Sequence, residues 1–198
     1  MRKTPRQARS RAMVERLVAA GRDVLVAHGY DGFTTNKVAD AAGVSPGSLY
    51  QYFPDKAAIL DVVLDRWSDE VAERVAAALA DRIGATGPAM GHAVADALLA
   101  ALEADAAVLR VVTEELPAAH LARQRRALEQ RVIQLAGAYL AGLGVDDATL
   151  RQQRAWVVVL AVEQLAVRWV LDQPAALSRA DAVAEIARLA GTYLAAPD

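Results

Sequence analysis

Apolar residues recur along this chain at three- and four-residue spacing, the period of amphipathic helices. Val14, Leu17, Val18, Gly21, Leu25 and His28 share one face of a helix predicted over about Ser10–His28, which Gly29 ends as a C-cap residue. Two short helices are predicted next, near Thr35–Ala42 and Pro46–Tyr52. A fourth opens at Pro54-Asp55 and runs to about Arg82, where Gly84-Ala85-Thr86-Gly87-Pro88 breaks it. A fifth spans about Ala89–Ala104, and a sixth Ala106–Leu116, stopped by Pro117. A seventh runs from about Ala118 to Gly142-Leu143-Gly144, and an eighth over Asp147–Asp172 until Gln173-Pro174. The ninth starts after Ser178 and runs to about Ala195. No alternating strand pattern of useful length competes, so the expected fold is all-α with about nine helices.

Composition supports helices and narrows the chemistry. The 198 residues include 45 Ala, and aromatics are only 5%, which favours helix over sheet. The absence of cysteine excludes a disulfide scaffold, a thiol nucleophile and Cys-ligated metal sites. His28, His92 and His120 are far apart and form no paired metal-ligand spacing, so no metal and no cofactor is expected. No Gly-rich phosphate loop or nucleophile-elbow motif appears, and the chain reads as a non-enzyme. The longest uninterrupted apolar run, Ala155–Val162, is well short of the roughly 20 residues a bilayer span needs. With no apolar leader following the basic N-terminus, a soluble, cytoplasmic protein is expected.

Charge is uneven. The net charge is −2, yet residues 1–56 carry nine Lys/Arg against five Asp/Glu, and residues 57–198 carry thirteen against nineteen. A small basic part therefore precedes a larger acidic one, and the asymmetry points to an anionic partner for the first.

The chemistry concentrates in Thr34–Lys56. Two short helices meet at Ala42-Gly43-Val44, where glycine permits a tight left-handed turn. Ser45 is placed to cap the second helix and Pro46 occupies its first position. Val38, Ala39, Ala42, Val44 and Leu49 supply an apolar seam. This is the sequence form of a helix-turn-helix, although an ordinary helical hairpin has the same outline. With Leu49 set inward, Gly47 and Gln51 point away from the core at about 160° and 200°. Ser48 and Tyr50 flank them, and Tyr52 lies near the buried Phe53 side. The ridge is small, hydrogen-bonding and free of acidic groups, so it fits a major groove, where Gln51 can bond adenine. Tyr50 can reach a phosphate. Thr34 or Thr35 can cap the preceding helix, leaving backbone N–H groups for another phosphate. Lys37 and Lys56 add cations. The basic run Arg2–Arg11, including Arg9 and Arg11, suits a mobile arm along DNA or a solvated tail.

Gly29, Thr34, Thr35, Val38-Ala39, Ala42-Gly43-Val44, Ser45, Gly47, Leu49-Tyr50, Tyr52-Phe53, Lys56 and Leu60 together resemble the DNA-binding domain of the TetR family of bacterial transcriptional regulators. The resemblance covers about residues 10–60; beyond them only the helix count agrees. Pro46 departs from the basic or polar residue common at that place in the family, which leaves the operator open. The resemblance implies an arm and helix-turn-helix domain over residues 1–54, and an effector-binding and dimerisation domain over 55–198. It implies a homodimeric repressor, released from a palindromic operator by a small molecule. A helical adaptor that has lost DNA recognition is the alternative, motivated by Pro46.

In similar proteins the last two long helices form the dimer interface. Here that assigns Val159 and Leu160 with Ala187, Ala190, Gly191 and Leu194, and one of the two tryptophans Trp156 and Trp169. Effectors in such proteins sit within helices four to eight. Trp67, His92, Glu114, Tyr139, Trp156, Glu163 and Gln164 are the candidate lining groups among Ala, Val and Leu, so a mostly apolar effector is expected.

Overall fold

The computed structural model describes residues 5–80, 88–117, 130, 133–134, 136–142 and 144–194. These residues are all-α, with no strand among them. The helices are α1 (Pro5–Gly32), α2 (Thr35–Ala41), α3 (Pro46–Tyr50), α4 (Lys56–Ala80), α5 (Pro88–Glu103) and α6 (Ala106–Arg110). A π turn, Val111–Glu115, continues α6. After it come α7 (residues 136–142), α8 (Ala148–Asp172) and α9 (Arg179–Leu194). The expected glycine-rich break at 84–87, most of the expected seventh helix and His120 lie outside the described residues.

Two expectations need correction. From Pro5 onward the basic N-terminus is helix, not a mobile arm; Pro is tolerated in a first turn, and Arg and Ala favour helix beyond it. The sixth helix does not stay α-helical to Leu116. Leu116 N–H donates to Val111 C=O at 3.1 Å, a five-residue closure. In an α-helix residues five apart differ by about 140°. Val111 and Leu116 are both buried in one core, and the wider π turn lets both face it.

The chain forms two compact units: Met1–Trp67 with Arg110–Leu121, and Ser68–Leu109 with Ala122–Asp198. This division of packing falls within α4. Ile59, Leu60, Val63 and Leu64 of α4 belong to the first core, and so do Val111 and Leu116. Phe33, Leu17, Leu25, Val38 and Leu49 are fully buried at its centre. Arg66 donates two hydrogen bonds of 2.6 Å to the Glu15 carboxylate, tying α4 to α1.

In the second unit α5 packs on α8 and α9, and α8 packs on α9. Asp147 caps α8 by accepting the Thr149 and Leu150 N–H groups at 2.7 and 3.1 Å. Arg179, first residue of α9, reaches α5 and donates to Asp96 at 2.6 Å and to Glu103 at 2.9 Å. Those hydrogen bonds, Asp96 first, hold its pKa above the ordinary arginine range. No described helix is long and apolar enough to cross a membrane.

Phe33 has no exposed surface in the first core. Truncation to alanine should cost about 3–5 kcal/mol of stability. Urea unfolding of Phe33→Ala would check this, and a loss under 1 kcal/mol would mean that the core is not organised around this ring.

Candidate nucleic-acid interface

Local chemistry sets both short helices. Thr34 sits in extended backbone before α2 and its hydroxyl accepts the Lys37 N–H at 3.3 Å. The α2–α3 turn passes through Gly43 at φ +65°, a region that side chains rarely adopt. There Val44 N–H returns to Ala39 C=O at 2.9 Å, closing the helix end. Ser45 caps α3 by accepting the Ser48 N–H at 3.2 Å, and Pro46 begins the helix.

Burial of Leu49 then decides what α3 shows. Gly47 and Gln51 are exposed, and Tyr50 keeps 52% of its surface open. The Tyr50 hydroxyl shares a 3.1 Å hydrogen bond with Thr35 Oγ1, which fixes the exposed ring against the first turn of α2. Ser45 and Ser48 hydroxyls share another, 2.9 Å long. Tyr52 packs against the core instead of joining the ridge, because the chain turns inward to bury Phe53.

The candidate cations belong to the same unit as this ridge. Lys37 is exposed and its Nζ donates to Gly32 C=O at 3.1 Å. Lys56 Nζ stands 4.7 Å from the centre of the Tyr30 ring, a cation–π contact. Arg9 and Arg11 are exposed on the first turns of α1. All twelve residues expected to meet DNA therefore belong to the first unit, and all but Tyr52 lie outside its packed core.

A family model described as "Bacterial regulatory proteins, tetR family" matches residues 17–63. A second, "Tetracyclin repressor-like, C-terminal domain", matches residues 87–194. This chain belongs to the TetR family. TetR-family proteins are DNA-binding transcriptional regulators and not enzymes. The chain is 30% identical over 182 residues to the HTH-type transcriptional regulator CymR of Pseudomonas putida, covering 87% of this chain and 88% of that one. Its fold is similar to a TetR-family regulator from Mesorhizobium loti, with TM-score 0.74, 18% identity and coverage of 94% and 97%. It is also similar to FadR of Bacillus subtilis solved with stearoyl-CoA, with TM-score 0.64, 18% identity and coverage of 91% and 97%.

The effector candidates of this TetR-family chain differ in exposure. Trp67 is half-buried, and its indole N–H is enclosed without a hydrogen-bond partner among the described residues. Tyr139 and Glu163 are half-buried. The others lie nearer the surface. His92 and Gln164 are exposed, and Glu114 lies on the surface beside Arg110, 3.3 Å away. Trp156 is 53% exposed, because the buried phase of α8 runs through Ala155 and Val158.

The dimer candidates also divide. Ala187 is buried against Gly91 of α5. Val159, Leu160, Ala190 and Leu194 are half-buried, and a Cβ on Gly191 would meet open space. Sequence reasoning singled out Leu165 and Trp169 of α8 but missed the groove they share with α9, and it missed a second contact. Leu165, Trp169, Leu177, Ile186, Leu189 and Tyr193, with the polar Glu185, Arg188 and Thr192, line an open groove of about 750 Å³ along α8 and α9. Glu115, neighbour of the residue singled out, accepts the Tyr30 N–H at 2.8 Å. No short-range signal marks a partner 85 residues away.

The caps give a direct check. Ser45→Ala should cost about 1 kcal/mol of stability, and Ser45→Asp should retain most of it, since aspartate caps as well as serine. Equal urea midpoints for the two variants would show that the Ser45 hydroxyl does not hold α3.

Proposed function

We propose that this regulator is a repressor that reads a palindromic operator with α3 and leaves it when a small, mostly apolar effector binds. The observation that carries the DNA-reading part is the α3 ridge. Gly47, Tyr50 and Gln51 stand out of a buried seam with no acidic side chain among them, and the Thr35 bond holds Tyr50 in place. Gly47 allows close approach to the groove floor, and Gln51 offers a donor–acceptor pair to adenine. Thr34, Thr35, Ser45, Ser48 and Tyr50 are placed for phosphate oxygens, with Lys37, Lys56, Arg9 and Arg11 as surrounding cations. Tyr52 serves this surface by packing beneath it.

The effector part is supported by Trp67. An enclosed indole N–H without a partner is costly, and a ligand acceptor would satisfy it. The sequence of α4 around Trp67 is Ala-, Val- and Leu-rich, which suits an apolar molecule carrying one such acceptor. In this reading residues 1–54, with Lys56, read DNA, and the rest of residues 55–198 binds the effector and dimerises.

A second copy is the proposed occupant of the α8–α9 groove. Trp156, Val157, Leu165, Leu189 and Tyr193 are large apolar residues exposed on these two helices. Pairing them across a two-fold axis would remove them from water, and Gly191 would let the helices approach. Dimerisation also answers a need of recognition. One α3 reads only a few base pairs, and two half-sites about 34–36 Å apart, or multiples of that, multiply the specificity.

Enrichment of bound duplexes from a random pool tests the proposal. The full-length protein should enrich a palindrome, and Gln51→Ala should relax one base pair per half-site by about 1–3 kcal/mol. An unchanged preference would remove Gln51 from direct readout, and no enrichment at all would favour the adaptor reading.

Light scattering tests the interface. Gly191→Arg and Leu189→Arg should each yield monomers at micromolar concentration, with operator affinity falling accordingly. Dimers that survive both changes would place the interface elsewhere.

A further inference from the structure

The end of α1 is held by a residue from far along the chain. Gly29 interrupts the helix at φ +65° and ψ −177°, a combination essentially confined to glycine. The next amide, Tyr30 N–H, donates to Glu115 Oε2 at 2.8 Å. A Cβ on Gly29 would come within 2.4 Å of that same oxygen. The carboxylate therefore lies over the glycine, in space that any other residue would fill. Glu115 closes the π turn, and its flanks Val111 and Leu116 are both buried in the first core. The backbone carrying the carboxylate is thus anchored on both sides.

From Tyr30 a short series of contacts leads to the α3 ridge. Tyr30 C=O accepts the Phe33 N–H at 3.2 Å, and Phe33 is fully buried. Thr34 follows and caps α2. Lys37 of α2 donates back to Gly32 C=O at 3.1 Å, and Lys56 of α4 covers the Tyr30 ring. Thr35, in the first turn of α2, holds the Tyr50 hydroxyl. The turn at residues 29–33 thus sets where α2 begins, and α2 sets where Tyr50 stands.

We propose that Glu115 is a positioning residue for DNA recognition: by holding the Tyr30 amide across the Gly29 break, it sets the start of α2 and with it the α3 ridge. This rests on the DNA-reading role proposed above. Glu115 makes no contact with DNA in this scheme; it acts through the turn. Its carboxylate is the stronger kind of acceptor, since a hydrogen bond to an ionised group outweighs a neutral one. The segment carrying it returns to the first unit directly after Leu109, the last residue of the preceding stretch of the second.

The test uses the full chain and a duplex enriched by the wild type. Glu115→Ala should lose about tenfold in operator affinity. The slope of affinity against salt should not change, because no phosphate contact is removed. The Tyr30 amide should also exchange with solvent faster than in the wild type. Glu115→Gln keeps a carbonyl acceptor, so it should stay within about threefold of the wild type and retain most of the amide protection. If Glu115→Ala does not fold, Glu115→Gln still decides: its Tyr30 amide must exchange faster than wild type and slower than neighbouring unbonded amides. A folded Glu115→Ala protein with wild-type operator affinity, or any variant with unchanged Tyr30 exchange, would overturn the inference alone. A wild type that enriches no duplex would instead overturn the DNA-reading role.

Discussion

The two helices that make this protein a DNA reader are too short to exist alone. α2 has seven residues and α3 has five, whereas isolated helices below about 12–15 residues are marginal in water. They persist because Val38, Ala39, Ala42, Leu49 and Phe53 are buried in the same core as Leu17, Leu25, Ile59 and Leu60. Burying Leu49 fully is worth about 1.5–3 kcal/mol, more than any single polar contact on the ridge. The same burial fixes the rotation of α3, so what holds the helix also selects Gly47, Tyr50 and Gln51 for exposure. Caps at Thr34 and Ser45 then define where each helix starts, and the Thr35–Tyr50 bond removes freedom from the one large exposed ring.

The second unit follows a different physical plan. Small residues allow its helices to approach closely, as at Gly91 and Ala187. Arg179 joins α9 to α5 through two carboxylates, a geometry suited to the planar guanidinium fork. Trp169 is half-buried and its indole N–H donates to Leu177 C=O at 3.0 Å, so its polar atom is satisfied inside the protomer. The large apolar side chains this unit leaves exposed lie along α8 and α9. Exposed apolar side chains gathered on two packed helices are commonly covered by a self-complementary partner.

Much of this was legible along the chain because it is local. A cap needs a hydroxyl or carboxylate at one position, as at Thr34, Ser45 and Asp147. A left-handed turn needs a glycine, as at Gly43, and the phase of an amphipathic helix is carried by its own side chains. These features determined the element order, the helix-turn-helix and the exposed face of α3, and their spacing carried the family resemblance.

Tertiary structure decided whatever depends on two distant segments meeting. Periodicity placed Ala187 and Gly191 on one helix but could not say that Ala187 turns to α5 while Gly191 faces open space. It could not divide Trp156 from Trp169, because both lie on α8 and only packing separates the exposed ring from the one bonded to Leu177. Nor could it place the unit boundary within α4, or return residues 110–121 to the first unit. The π turn has the same cause: Val111 and Leu116 differ in helical phase, and it is the shared core that draws both inward. That register brings Glu115 to Tyr30, and because the two are 85 residues apart, no local pattern could have recorded the contact.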